Sequence, residues 1–352
     1  MKLIASKCPK IIRWELTNQC NLSCPHCRHH ALEKRKSDKY PEFYKTKYQF
    51  TEEAIKALIE EVAHYKPSFT LNVANEPTIG NNFKYALREI KRHNLSGTFN
   101  TNGLKLTKDL TQFLAEIGWD SVTVSVDATT PESLMKARGI PFLDQVHEAV
   151  FNLLEARGNR DFPRVGVTFV DCHCNHDEID DFIDFWKKHV DFIRTTGFIQ
   201  DLIPDVEMIG GVDDRSIVPI DRLPCKQLFT DIVIRANGDV TRCLITSESP
   251  TLSDTIVGNI FNDGGVLNVW NNSEFKALRD SHNQGNSCSI KYCDSCDYWI
   301  ETQDMNLVET EDMLIRTPSP YTKFYNVKSK LKNWDKDRVH DRQGMIVECL
   351  ID

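Results

Sequence analysis

The sequence predicts an α/β protein: a parallel sheet of six strands with helical crossovers, followed by a smaller region holding a β-hairpin and a helix. Two patterns carry this reading. Up to residue 200, short apolar runs alternate with stretches of helical periodicity, as in strand–helix–strand units that cross over with a right hand. Beyond residue 224, an Asn-Gly turn between two apolar runs marks a hairpin. The 352 residues suffice for one large domain and one small one. Strand–helix order alone fits both a doubly wound sheet and a partial barrel. Both place their chemistry at the C-terminal ends of the strands.

The elements follow in order. Residues 11–17 predict the first strand, and Thr51 caps a helix whose Ile55, Leu58, Ile59 and Val62 share a face. Residues 69–74 form the second strand, followed by a helix through Phe83, Leu87 and Ile90, and residues 97–102 form the third. Thr107 opens a helix with Leu110, Phe113, Leu114 and Ile117, closed by Gly118. The fourth strand, 121–127, alternates Val122, Val124 and Val126. A helix through Val146, Val150 and Leu154 leads to the fifth strand, 165–170; Ile179, Phe182, Ile183 and Trp186 mark a helix before the sixth, 192–199. Residues 201–224 are acidic and rich in Pro and Gly, a linker. The hairpin spans 229–245 around Asn237-Gly238, a helix covers about 269–278, and 305–352 is a polar extension with basic residues 323–336.

Composition narrows the function. Apolar residues make up 40% and charged residues 27%, the balance of a soluble globular chain. With 43 basic and 51 acidic residues the net charge is −8, which counts against a general nucleic-acid binder. No stretch nears the roughly 18 apolar residues of a membrane span, and residues 1–14 hold no secretory apolar core. The expectation is a cytoplasmic protein with no membrane partner. Its 12 cysteines then point to metal ligation or redox chemistry rather than structural disulfides.

Cys20, Cys24 and Cys27 lie within eight residues directly after the first strand, on a loop because Pro25 opposes a continuous helix. Thiolates suit zinc or iron–sulfur clusters, and three of them leave one metal position open. A zinc site completed by His26, His29 or His30 is the alternative. The spacing, with His26 before the third cysteine, resembles the signature of the radical S-adenosylmethionine (SAM) enzymes.

That resemblance implies a partial (β/α)6 TIM-like barrel over residues 1–200. It implies that Cys20, Cys24 and Cys27 hold three irons of a [4Fe–4S] cluster whose fourth iron chelates SAM. A one-electron reductant such as a flavodoxin or ferredoxin would supply the electron that splits SAM to a 5′-deoxyadenosyl radical, which then takes a hydrogen atom from substrate. The family's SAM contacts map onto this chain in order. Ala74-Asn75-Glu76-Pro77 stands where relatives have Gly-Gly-Glu-Pro; both glycines are replaced, and Asn75 tolerates the turn. Asn100 belongs to a T-N-G turn region, Ser125 and Asp127 match an S-x-D strand end, and Arg138 sits where an arginine meets the SAM carboxylate; His26 completes the cofactor-binding set.

A second group follows the linker. Cys225, then Gly238 after twelve intervening residues, Cys243 five positions on, and the pair Cys293 and Cys296 have the look of a four-thiolate site, which alone would also fit a zinc ribbon. After such a barrel, they resemble the SPASM or shorter twitch extension over 225–304, implying one auxiliary [4Fe–4S] cluster on these four cysteines. Cys288 is the rival ligand, alone or with Cys349.

Three features stay open. Cys172 and Cys174 after the fifth strand read as reduced thiols rather than a metal site with His173 and His176; they and Cys349 are candidate hydrogen-atom donors. The stretch Lys34 to Tyr48 mixes basic and aromatic residues and reads as a solvated loop or as a grip on phosphate or acidic peptide. Finally, the substrate is expected to be a ribosomal peptide or protein that is crosslinked, epimerised or oxidised. Little chain precedes Cys20 to hold a peptide-recognition domain, and a separate partner could supply one. Dehydrogenation of a small molecule such as an aminocyclitol or sugar is the second possibility, and a non-catalytic cluster-bearing electron carrier the third, favoured by the altered Ala74-Asn75 turn.

Overall fold

The structure is a computed structural model. It describes residues 2–331 apart from 28, 39, 198–221, 248–251, 295, 297, 303–305 and 320–321. The linker and Cys349 therefore fall largely or wholly outside the described residues.

Six parallel strands are present: β1 (Ile11–Trp14), β2 (Ser68–Thr70), β3 (Ser96–Thr101), β4 (Ser121–Ser125), β5 (Arg164–Asp171) and β6 (Phe192–Gly197). They pair in strict sequence order. This order separates the two architectures left open above. A doubly wound sheet reverses direction at a switch point; here every crossover steps the same way, so the helices cover one face and the other becomes the inner wall of a partial barrel.

Alternation along the strands follows from this arrangement. Phe99, Val122, Val124, Val165, Val167 and Phe169 face the helices and join one continuous apolar core with Ile55, Leu58, Ile59 and Leu87. Their neighbours Thr98, Asn100, Ser121, Thr123 and Thr168 face inward, in register across β3, β4 and β5. The helices form where expected. Thr51 accepts a hydrogen bond from Ala54 N at the start of Glu52–Val62, and Thr107 does the same for Lys108–Glu116 from Leu110 N.

The hairpin region continues the same sheet. β7 (Asp231–Ile234) pairs in parallel with β1, and β8 (Asp239–Thr241) and β9 (Ile256–Asn259) extend it antiparallel. Gly238 turns the hairpin at φ +85°, and a Cβ there would lie 2.4 Å from the Phe261 ring. The second hairpin arm is shorter than its apolar run: it ends at Thr241, and Ile245 belongs to a short helix, Leu244–Ser247. The helix expected over 269–278 is two helices, Val266–Trp270 and Ser273–Asn283, because Asn272 caps the second by accepting from Phe275 N.

The polar extension also corrects the sequence reading. Residues 306–327 form β10 (Asn306–Glu309), β11 (Met313–Ser319) and β12 (Thr322–Val327), and β12 pairs antiparallel with β6. In β12, Thr322, Phe324 and Asn326 are buried while Lys323 is exposed. The period-two alternation is what the overall count of basic residues concealed. Among the described residues no helix is long and apolar enough to cross a membrane.

Gly166 makes room for the buried Phe192 ring: a Cβ at this position would lie 2.2 Å from it. Gly166→Ala is therefore expected to cost about 1–3 kcal/mol in urea unfolding, the usual price of overpacking a core. An unchanged midpoint would contradict this packing.

Candidate active site

The loop after β1 brings Cys20, Cys24 and Cys27 together at the C-terminal end of the barrel. A turn from Cys27 N to Cys24 O (2.9 Å) shapes it, and Arg35 pins it by donating to the carbonyls of Cys20 (3.2 Å) and Leu22 (3.0 Å). Backbone amides already point at two of the sulfurs: Leu22 N lies 3.5 Å from Cys20 Sγ and His30 N 3.2 Å from Cys27 Sγ. Burial pushes the Cys20 thiol up to about 12 and also raises Cys24, where the Arg138 guanidinium works the other way. Holding these sulfurs as thiolates thus calls for metal charge.

The nearby histidines are engaged elsewhere. His26 Nδ1 lies 2.7 Å from Ala137 O, His29 Nδ1 2.7 Å from the Tyr44 hydroxyl, and His30 Nε2 2.7 Å from Ala74 O. His30 is engaged through both ring nitrogens, the second at 3.2 Å from the Tyr40 hydroxyl, which speaks against it as a zinc ligand. Three soft thiols on one loop, with amide donors to sulfur and a guanidinium beside Cys24, suit a four-iron cluster with one open iron.

Glu76 ties the ends of β2 and β3 together. It is buried, and its carboxylate accepts from Thr78 Oγ1 (2.6 Å), Thr101 Oγ1 (2.8 Å) and Asn102 N (2.7 Å). Burial raises its pKa against the pull of those donors. Asn75 closes its own turn, its Oδ1 accepting from Val73 N (3.1 Å). Asn100 points inward from β3 with its side-chain oxygen buried and without a hydrogen-bond partner. Ser125 ends β4, half-buried and in register with Thr168.

Asp127 follows in a left-handed conformation, φ +61°. Its carboxylate holds Arg138 Nη1 at 2.5 Å and accepts from Val170 N at 2.8 Å. Both oxygens are therefore committed within the protein, not directed at a ribose. Arg138 is buried, and its Nε has no hydrogen-bond partner, which leaves a donor for an anionic group beside Cys24.

A residue not singled out from the sequence connects these parts. Glu15, one residue past β1, is fully buried. Its two oxygens accept from Ala74 N (3.2 Å) and Ala236 N (3.1 Å), so it joins the Ala74-Asn75-Glu76 turn to the hairpin turn beyond β7. With His30 on Ala74 O, both backbone polar groups of Ala74 are occupied. Arg235 faces Glu15 and stacks over Phe43 at 3.5 Å. The basic–aromatic stretch thus contributes buried packing: Tyr44 is buried, and Tyr40 and Tyr44 stack at 5.7 Å. Trp-Glu-Leu before a cysteine loop was the available signal, since an acidic residue inside an otherwise apolar strand must find partners.

At the far side of β7, Cys225, Cys243, Cys293 and Cys296 come close enough to act on one another. Burial first, then the neighbouring Cys243 and Cys225, push the Cys293 thiol up to about 12; burial and Cys243 also raise Cys296. Arg222 and Arg242 lie beside Cys293 and pull the other way. Cys288 is exposed on a separate turn. Four thiols within electrostatic reach of one another, with Arg222 and Arg242 acting on Cys293, carry the chemistry of a thiolate cluster, although among the described residues no three such ligands are already assembled around a metal position.

Comparison with known proteins bears on this arrangement directly. Residues 14–185 match the Radical SAM superfamily model, and residues 225–297 match the SPASM iron–sulfur cluster-binding domain. The chain belongs to the radical SAM superfamily. It is 24% identical over 320 residues to mycofactocin maturase MftC of Mycolicibacterium smegmatis, covering 82% of this chain and 77% of that one. An AdoMet-dependent heme synthase of Methanosarcina barkeri is 29% identical over 196 residues, 54% of this chain and 52% of that one. Among solved structures, Streptococcus suis SuiB bound to S-adenosylmethionine has a TM-score of 0.64 at 14% identity, covering 83% of this chain and 72% of SuiB. BtrN in complex with AdoMet and 2-DOIA has a TM-score of 0.52 at 16% identity, covering 84% and 94%. These two share the fold. As a radical SAM enzyme, the protein uses SAM, a [4Fe–4S] cluster and an auxiliary iron–sulfur cluster.

Burial raises the Glu15 carboxyl to about 7 from an ordinary value of 4.5, against the opposing pull of Arg235 and the two amides. The folded state therefore binds the proton more tightly than the unfolded state. The stability this gives is fully present below pH about 4.5 and is lost as pH rises through about 7. Replacing Glu15 with Gln keeps one acceptor and removes that decline, whereas Glu15→Ala strands two amides at a cost of about 1–3 kcal/mol each. Urea midpoints measured across this range test both; parallel pH profiles for wild type and Glu15→Gln would contradict the assignment.

Proposed function

We propose that this radical SAM enzyme modifies a ribosomally made peptide or protein by crosslinking, epimerisation or oxidation. The observation that carries the reading is the 320-residue kinship with a protein named a maturase, covering 82% of this chain. SuiB, which shares the fold, has been solved with its precursor peptide SuiA, at a TM-score of 0.62.

In this reading, Cys20, Cys24 and Cys27 hold the SAM-binding cluster, and Cys225, Cys243, Cys293 and Cys296 hold the auxiliary one. Once bound and reduced by one electron from a flavodoxin or ferredoxin, the first cluster would supply the reductive cleavage of SAM to methionine and a 5′-deoxyadenosyl radical. The chain's own residues position and enclose. Arg138 Nε receives the SAM carboxylate, Asp127 fixes the guanidinium, and Glu76 holds the turns after β2 and β3 that line the cofactor. His26 anchors the cluster loop to Ala137, and Asn100 and Ser125 offer polar contacts from the inner wall. Asn75 keeps the turn that glycines make in relatives, with Ala74 fixed by Glu15 and His30. The residue ranges expected from the sequence, with a linker at 201–224 and an extension from 305, remain our domain division. A separate protein presents the peptide, and the site of action is the cytoplasm.

A second reading has its own support. BtrN matches over 94% of its length and was solved in complex with AdoMet and 2-DOIA. Substrate oxidation of an aminocyclitol is the corresponding reaction.

The test is anaerobic incubation of the reconstituted protein with SAM and dithionite, with either a short peptide encoded beside its gene or an aminocyclitol. Deoxyadenosine is expected from wild type and none from Cys24→Ala. Arg138→Ala should weaken SAM binding about tenfold or more, the loss of a buried charge-assisted contact. A peptide mass change in step with deoxyadenosine supports the first reading. Turnover of the aminocyclitol with the peptide unchanged would overturn it.

A further inference from the structure

The mouth of the barrel carries two thiols that SAM cleavage does not use. Cys172 follows β5 on its inward alternation, after Thr168 and Val170, and Cys174 lies two residues on. Their sulfurs stand 2.9 Å apart, within about 1 Å of the roughly 2.05 Å of a disulfide bond. Cys172 is buried and Cys174 half-buried, so one sulfur is open to a reagent and the other is shielded behind it. A metal site is not assembled: His173 is exposed, and His176 Nδ1 lies 2.9 Å from Asp171 Oδ1.

Asn175 locks the pair to the cofactor side of the barrel. Its Oδ1 accepts from Cys172 N (2.9 Å) and from the Cys172 thiol (3.2 Å). Its Nδ2 donates to the carbonyls of Asp127 (2.8 Å) and Val170 (3.0 Å). Asp127 holds Arg138, which lies beside Cys24. One side chain therefore connects the thiol pair to the guanidinium nearest the cluster loop.

We propose that Cys172 and Cys174 interconvert between dithiol and disulfide, forming a redox-modification site whose state reaches the Asp127–Arg138 pair through Asn175. The oxidant is a small disulfide of the glutathione type. The Cys174 thiolate attacks it and expels one small thiol; Cys172 then displaces the second from the mixed disulfide. Two electrons and two protons leave the pair, and the small disulfide becomes two thiols. Cys172 loses the S–H that it gave to Asn175, and the turn closes by about 1 Å. A reversible bond of this kind is the type found in reducing compartments.

The transmission half rests on the reading that Arg138 receives SAM. The experiment uses the reconstituted protein equilibrated anaerobically with glutathione buffers of graded ratio, with the visible absorbance of the clusters held constant. After acid quenching, unfolding and alkylation, the peptide holding both residues should pass from two alkylated thiols to none in one two-electron step. In Cys174→Ser, Cys172 should stay alkylated throughout. Retention of both thiols in the most oxidising buffer, or mixed disulfides alone, would overturn the site. Equilibrium dialysis with radiolabelled SAM should show at least threefold weaker binding to oxidised wild type and no such change in Cys174→Ser. Equal affinity in both states of wild type would overturn the transmission. If Arg138→Ala binds SAM like wild type, the Arg138 reading fails while the disulfide result stands by itself.

Discussion

A single buried carboxylate holds the two halves of this enzyme's chemistry in register. Glu15 leaves the end of β1 and accepts one backbone amide from the turn after β2 and another from the hairpin turn after β7. A carboxylate with no exposure is costly unless its lone pairs are met; here each oxygen accepts one backbone amide, and the charge of Arg235 pulls the same way. Because β1 pairs with both β2 and β7, a side chain at its end can reach both turns. The Ala74-Asn75-Glu76 turn and the hairpin turn after β7 are thereby fastened to one residue, five positions before Cys20.

The same logic organises the rest of the site. Each turn at the mouth of the barrel is fixed by a buried acid that accepts backbone or hydroxyl donors: Glu76 across β2 and β3, and Asp127 across β4 and β5. These acids serve the framework, which in the proposed reading leaves Arg138 and the thiols for the cofactor. Concentrating carboxylates on backbone and positive charge on the cluster side suits a site that must hold anionic thiolates. The fastening by Glu15 and His30 also offers a physical account of why glycine is dispensable at position 74: the peptide there is held from both sides.

Much of this was legible in the residues. Strand–helix alternation and capping residues such as Thr51 and Thr107 are local signals, so the six parallel strands and their helices were readable. The Cys20–Cys27 spacing is also local, and the resemblances it and the later cysteines suggested agree with the family models that match residues 14–185 and 225–297. What escaped depends on contacts between distant segments. The choice between a doubly wound sheet and a partial barrel lies in strand order, which periodicity does not encode. The strands of residues 306–327 lie in a polar stretch whose alternation is short, β12 showing Lys323 to solvent between buried Thr322 and Phe324. Asp127 was placed toward SAM by strand alternation, yet its left-handed backbone turns the carboxylate onto Arg138 and Val170 N. Glu15 drew no notice because its partners are 59 and 221 residues away.

In the proposed reading two iron–sulfur clusters sit on one sheet, one at the cysteine loop after β1 and one on the four thiols beyond β7. Iron, acid-labile sulfide and zinc per chain, after anaerobic reconstitution, test it most directly. The prediction is about eight irons with matching sulfide and negligible zinc, falling to about four when Cys293 and Cys296 are both replaced by Ala. About four irons and one zinc in the wild-type protein would contradict it, because the second site would then be structural.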